Sequence, residues 1–182
     1  MKNINSFITK TGKEIIFRYP TINDVEILKN YINKISNEKT FILFQGEQLT
    51  LESEIVWLKD KLEKISKNEC IYLCAFYNNQ LIGSSEVTLK DKVKAHVGSF
   101  GITIDPDFRN LGIGKKLMDL VISESIKNIP NLKIIELEVF GNNSIAKKLY
   151  EKFGFVEFGR LPEGILHRNK YVDAILMYKK VK

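Results

Sequence analysis

One junction near the middle of the chain constrains its fold more than any other feature. A largely apolar stretch, Ala95 to Ile104, stops at Asp105-Pro106. Arg109-Asn110-Leu111-Gly112-Ile113-Gly114-Lys115-Lys116 then leads into a helical pattern that runs from Gly112 to Asn128 and ends before Pro130. The first N–H groups of a helix have no partner inside it, and the helix dipole makes that end attractive to anions. Gly112 and Gly114 remove side chains that would keep a ligand at a distance, and Arg109, Lys115 and Lys116 add positive charge. A strand, this turn and a helix together read as a cradle for a phosphate or pyrophosphate. A glycine-bearing helix start without a ligand is the reading the segment alone leaves open.

Two other glycine motifs fail here. Where a Walker loop carries its first Gly this chain has Arg109, and where that loop needs Ser or Thr after its Lys it has Lys116. Leu117 occupies the third Gly position of the dinucleotide fingerprint.

The surrounding pattern predicts an α/β (α+β) fold. Glu14 to Tyr19 reads as a first strand, stopped by Pro20. Asn23 is placed to cap a helix, with Glu26 closing a capping box and Leu28, Tyr31, Ile32 and Ile35 following at helical spacing. A second helix starts at a Thr50 cap and carries Ile55, Leu58, Leu62 and Ile65. Cys70 to Tyr77 and Leu81 to Leu89 flank Asn78-Asn79 and read as a hairpin. Lys133 to Val139 is a strand, and Ser144 to Lys152 is a short helix capped by Asn143. Phe155 to Phe158 and Val172 to Tyr178 are strands on either side of an irregular Gly159 to Lys170 segment. The count is about seven strands and about four helices. No linker, repeat or low-complexity tract interrupts residues 1–182, so one domain is expected.

Composition narrows the partners. The net charge of +6 suits an anionic ligand. The lysines are scattered, and no pattern of interleaved aromatic and basic residues points to nucleic acid. Met1 to Lys10 has no apolar core of a secretory signal, and the apolar runs are too short to span a bilayer, so the cytoplasm is the expected location. On a strand, Cys70 and Cys74 would lie roughly 13 Å apart. A disulfide needs Cα atoms within about 7 Å, so they read as free core thiols. With His96 and His167 far off in sequence, no metal site is expected.

Taken together, these residues resemble the GNAT superfamily of N-acetyltransferases. Arg109-Asn110-Leu111-Gly112-Ile113-Gly114 is similar to its Arg/Gln-x-x-Gly-x-Gly/Ala motif for acetyl-CoA. Leu137-Glu138-Val139 with Asn143, Ala146, Leu149-Tyr150 and Phe153-Gly154-Phe155 is similar to its second block. The likeness spans roughly Ile102 to Phe155 and is nearest to the ribosomal-protein alanine acetyltransferases.

The resemblance implies a mixed, mostly antiparallel central sheet and direct transfer of an acetyl group from acetyl-CoA to an amine. The acceptor is a small molecule or a peptide N-terminus, and a homodimer is allowed. Ile102, Thr103 and Ile104 would offer backbone groups to the pantetheine and the acetyl carbonyl. Arg109, Asn110, Leu111, Gly112, Ile113, Gly114 and Lys115 would hold the pyrophosphate, and Asn143 would also contact the cofactor. Tyr150 would be the general acid and Glu138 the general base.

Other residues have simpler readings. Glu86 is a rival base acting through water. His96 is expected to be a satisfied sheet residue and His167 a solvated loop residue. Phe41, Phe44 and Trp57 are expected in the core. A non-catalytic acyl-CoA-binding module is the competing reading, and retention of Tyr150 and Glu138 argues against it.

Overall fold

The computed structural model describes residues 3–181; Met1, Lys2 and Lys182, which the single-domain and leader expectations also cover, lie outside the described residues. In chain order the elements are β1 (Asn3–Ile8), β2 (Glu14–Arg18), α1 (Val25–Asn37), α2 (Leu51–Ser66), β3 (Cys70–Tyr77), β4 (Gln80–Leu89), β5 (Val97–Ile104), α3 (Ile113–Asn128), β6 (Ile134–Phe140), α4 (Ser144–Lys152), β7 (Val156–His167) and β8 (Lys170–Lys180). The strands form one sheet in the order β1-β2-β3-β4-β5-β6-β8-β7. All its pairings are antiparallel except β5 with β6.

That exception positions the site. β5 and β6 pair only where Val97–Ser99 faces Ile134–Glu136. Beyond Ser99 the two strands part, while β5 remains zipped to β4 through Ile104. The divergence opens a wedge in the sheet and frees the backbone on one edge of β5.

Both faces of the sheet are covered. Leu117, Val121 and Ile122 of α3 and Tyr150 of α4 pack on one face with Ile15, Phe17, Leu73 and Ile135. Leu28, Tyr31 and Ile35 of α1 and Leu58 of α2 pack on the other with Cys70, Tyr72, Cys74 and Phe76. β3 is thus buried on both sides, which is why its sequence is an unbroken apolar run and not an alternation. Cys70 and Cys74 are buried and unpaired with each other. Burial pushes their thiols up to about 11 and about 12, so both stay protonated at neutral pH. In the β3–β4 turn Asn78 and Asn79 have φ of 47° and 65°, the left-handed values a tight hairpin requires.

Three expectations need correction. Among the described residues the mostly antiparallel sheet has eight strands, in keeping with the expected about seven, but Glu14 to Tyr19 is not the first of them, because β1 precedes it. A register shift between Asn3 and Asn5 breaks β1's two-residue period, so Ile4 and Phe7 both reach the core. The segment read as irregular, Gly159 to Lys170, belongs to β7 and the turn that follows it. It pairs with β8 across two register shifts, the second spanning Pro162-Glu163-Gly164. As an edge strand, β7 tolerates a proline that an interior strand would not.

The third correction is the entry to α1, where the capping box sits on the short 3-10 turn Ile22–Asp24 before the helix, with Thr21 and not Asn23 at its N-cap. Asp24, not Glu26, closes the box, accepting hydrogen bonds from the backbone N–H of Thr21 at 2.7 Å and its hydroxyl at 2.9 Å. Asp24 is also held by Arg18, whose guanidinium donates two bonds at 2.8 and 2.7 Å. Burial alone would raise the Asp24 carboxyl, but the bonds from Arg18 and Thr21 outweigh it and hold it below the ordinary carboxylate range.

Asp24→Asn should therefore destabilise the fold by about 3 kcal/mol, because it strands a buried guanidinium. With a folded pKa below the unfolded one, Asp24's contribution is full above pH 4 or so and is lost as pH falls through the folded value. Urea unfolding of wild type and variant at pH 7 and pH 3 should show a gap that closes in acid. A constant gap would remove Asp24 as the titrating group.

Candidate active site

Two cavities meet at the free edge of β5. The first, about 450 Å³, is a cleft lined by the end of β5, the phosphate-type loop, the start of α3 and α4. Ile102, Thr103, Ile104, Arg109, Asn110, Gly112, Gly114, Lys115, Asn143 and Tyr150 all line it. Gly112, with φ of +83°, turns the chain into α3. The first backbone bond back to it comes from Lys116, leaving the N–H groups of Ile113, Gly114 and Lys115 without helical acceptors. At Gly114 an added Cβ would sit 3.5 Å from Ile104 Cγ1, which shows how closely the helix start approaches β5.

Three members of the expected cradle behave differently. The Ile113 side chain is buried in the core, and Leu111 packs against that core, so neither side chain lines the cleft. Arg109 lines it, but its guanidinium grips Glu38 through two bonds at 2.5 and 2.6 Å, and its Nε donates to the Ile104 carbonyl at 3.0 Å. Its charge is already balanced, and the side chain acts as a strut tying the end of α1 to the loop. Asp105, nearly wholly buried, pairs with Lys34 at 2.7 Å and accepts from the Asp107 N–H, bracing the same turn.

Asn143 caps α4 by accepting from the Ala146 N–H at 3.2 Å, which leaves its amide NH₂ available to the cleft. Tyr150 lines the cleft from α4, its ring wedged edge-on against Phe100 at 6.0 Å and beside Phe155 at 6.1 Å. Burial pushes its hydroxyl up to about 12, so it carries a proton at any physiological pH.

The second cavity, about 440 Å³, lies on the α1–α2 face and shares Ile102 and Thr103 with the first. Tyr31, Trp57 and Tyr72 form an aromatic wall, with the Trp57 and Tyr72 rings edge-to-face at 5.5 Å. Tyr31 donates to Thr103 Oγ1 at 3.0 Å, and the Ser84 hydroxyl lies 3.2 Å from the same oxygen. Glu86 lines this cavity. Its Oε2 is the atom engaged by Lys61, by Thr88 Oγ1 at 2.8 Å and by the Cys70 thiol at 3.9 Å. Burial raises both Tyr31 and Tyr72, keeping the wall neutral.

The remaining candidates are distributed less as expected. Glu138 is exposed on β6, opposite Leu176 of β8, on the face away from Leu137 and Val139; it lines neither cavity. His96 is exposed in the turn before β5, at the end remote from the cleft, and is not a sheet residue. His167 is not a solvated loop residue: it is 2 % exposed, bonds Asn142 through Nδ1 at 3.1 Å and packs on Phe41 and Phe140. Phe41 faces the first cavity and Phe44 the second, so these two are exposed wall rather than core residues, while Trp57 both packs against the core and lines the second cavity.

The 38–49 segment carries two of these walls. Ser36 donates to the Glu47 carbonyl at 2.7 Å and Asn33 bonds the Leu49 backbone in both directions, tying the segment to α1. Glu54 was not anticipated at all, although Glu54, Leu58 and Lys61 fall on one helical face and all three are buried. A charge on a buried helical stripe was the available signal.

Over residues 32–155 the sequence matches the acetyltransferase (GNAT) family. The chain belongs to the GNAT family. It is 33% identical over 165 residues to the L-amino acid N-acetyltransferase AaaT of Escherichia coli (strain K12), covering 90% of this chain and 96% of that one. It is 31% identical over 147 residues to the [ribosomal protein bS18]-alanine N-acetyltransferase of the same organism, covering 78% of each. Among solved structures, an acetyltransferase of the GNAT family from Streptococcus pneumoniae superposes with a TM-score of 0.84 at 27% identity, covering 92% of this chain and 99% of that one. This GNAT protein is an acetyl-CoA-dependent N-acetyltransferase. Among the described residues no cluster of His, Cys, Asp or Glu could hold a metal ion, and no helix is long and apolar enough to cross a membrane.

Proposed function

We propose that this chain, acting as one catalytic domain, transfers the acetyl group of acetyl-CoA directly to a small-molecule primary amine. The observation that carries the reading is the meeting of the two cavities at Ile102 and Thr103. A cradle of backbone N–H groups and Lys115 receives the pyrophosphate on one side. The free edge of β5 leads the pantetheine arm to the junction, with Asn143 alongside. The amine enters from the aromatic side.

At the junction the neutral amine nitrogen attacks the thioester carbonyl. The C–N bond forms and the C–S bond breaks, the Tyr150 hydroxyl gives its proton to the departing sulfur, and the second proton shed by the new amide nitrogen passes through solvent to restore the Tyr150 hydroxyl. The ammonium must first lose a proton. Of the two carboxylates considered, Glu86 lines the acceptor cavity and keeps Oε1 clear of its Lys61 partner. Glu138 stands on the same face, outside the lining. Glu86 therefore takes the proton, and Glu138 is the second candidate. Holding both substrates at one junction supplies much of the remaining acceleration. A cavity of about 440 Å³ suits a compact acceptor better than a folded protein surface, which is why the small-molecule reading precedes the ribosomal-protein one.

Calorimetric titration with acetyl-CoA should give one site with Kd between about 1 μM and 1 mM, the usual range for enzyme substrates. Thiol release should then require an amine. No binding at the upper end of that range would overturn the proposal.

A further inference from the structure

Glu54 is the residue of the acceptor cavity that the reading above leaves without a task. It lies in the first turn of α2, is 3 % exposed and lines the cavity. Among the described residues no hydrogen bond or ion pair engages its carboxylate. Desolvation raises its pKa, with no charged neighbour to offset it. A buried carboxylate without a cation is costly and calls for a partner from outside the chain.

The rest of the cavity indicates what that partner is. Glu86 is balanced by Lys61, whose side chain is only 8 % exposed. No Lys, Arg or His lines the cavity among the described residues. The site therefore holds one carboxyl group with no cation beside it and nothing to receive an anion. The remaining walls are largely apolar and aromatic, Trp57, Tyr72 and Phe44 among them.

The position of Glu54 along α2 fits the reacting amine. Lys61 reaches Glu86 and Thr88, and Trp57, one turn nearer the helix start, packs on Tyr72, which pairs with Glu86 across the sheet. One further turn carries Glu54 in the same direction, toward Ser84 and Thr103, which pair across β4 and β5 and line the same cavity. Thr103 is where the two cavities join.

Resting on the acetyltransferase reading, we infer that Glu54 receives the ammonium of the acceptor, and that this acceptor is a monoamine with an apolar, ring-sized body and no carboxylate. An amino acid would bring its carboxylate into a cavity lined by two carboxyl groups and no cation, and a diamine would bring a second ammonium where the other carboxylate, Glu86, is already paired with Lys61. Recognition of a free amino acid, stated in the name of the AaaT relative, is thus not carried by this cavity.

The test compares phenethylamine with phenylalanine, which differ by one carboxylate, alongside 1,5-diaminopentane and an alanine-initiated peptide, all with acetyl-CoA and thiol detection. Phenethylamine should exceed each of the others in kcat/KM by at least about tenfold, equivalent to 1.4 kcal/mol. Glu54→Gln should raise its KM about 10- to 100-fold, the loss of one charge-assisted bond, with a smaller change in kcat and acetyl-CoA affinity unchanged. Acetylation of phenylalanine, the diamine or the peptide in preference would overturn the inference and leave the acetyltransferase reading standing. So would an unchanged KM in the Gln variant. Failure to bind acetyl-CoA would instead overturn the reading itself.

Discussion

Replacing Tyr150 by Phe should lower kcat by about 100-fold or more, the lower bound for losing a positioned proton donor. Three features of the site lead to that figure. The Tyr150 ring is fixed by Phe100 and Phe155, so its hydroxyl points from a rigid mount. Burial keeps the hydroxyl protonated up to about pH 12, so it is always ready to donate. Among the described residues no partner holds that hydroxyl, so removing it breaks no bond in the free protein. The variant should fold with unchanged thermal stability and bind acetyl-CoA as wild type does.

The defect should also have a particular pH signature. The Tyr150 hydroxyl does not titrate near neutrality, so it contributes no limb to the kcat profile of the wild type between pH 6 and about 10. Any acidic limb there belongs to the group that accepts the amine's proton, and it should survive in Tyr150→Phe at reduced amplitude. Steady-state kinetics across that range would decide the matter. Wild-type turnover in the variant would leave the leaving thiolate to be protonated by water and would reduce Tyr150 to a packing residue.

The sheet was legible in the chain wherever one physical cause dominated. β3 is buried on both faces, so its apolar run stood out, and Asn78-Asn79 marked the turn after it. The start of α3 was legible because a phosphate cradle demands glycines at fixed positions. β1 was not legible, because a register shift destroys its alternation, nor was the β7 pairing, where Pro162 and a bulge mimic a loop.

The same division runs through the site. Side chains that a motif names, Asn143 and Tyr150, are in the cleft. Partnership is set by tertiary contact and leaves little local trace. Nothing around Arg109 announces that Glu38, on a distant helix, already neutralises it. Alternation along the strand puts Glu138 on the face away from Leu137 and Val139, but only tertiary packing decides that Glu86, on β4 beside α2, lines the second cavity and Glu138, on β6, does not. Glu54 leaves no comparable trace, because the apolar residues Ile55, Leu58, Leu62 and Ile65 of α2 mark a neighbouring stripe, displaced by about one residue from the face that is buried.

The two glycines of the cradle should respond differently to the same substitution, and the contrast separates backbone conformation from space. Gly112 has φ of +83°, and a Cβ there costs about 1–3 kcal/mol wherever the turn is kept. The added Cβ would also press toward Phe7 of β1, at 3.5 Å. Gly112→Ala should relieve this strain by shifting the turn, moving the N–H groups of Ile113, Gly114 and Lys115 off the pyrophosphate. Acetyl-CoA affinity should fall at least about tenfold, since a tenfold loss needs only about 1.4 kcal/mol. Gly114 has no such conformation, and its Cβ would meet Ile104 at ordinary van der Waals distance. Gly114→Ala should therefore bind acetyl-CoA within a few fold of wild type. Gly112→Asn supplies the decisive control, because Asn tolerates the left-handed region better than Ala does. It should recover part of the affinity lost in Gly112→Ala, although it is the larger residue. If Asn binds worse than Ala, steric exclusion rather than backbone conformation governs position 112, and the arrangement of N–H groups is not what holds the cofactor.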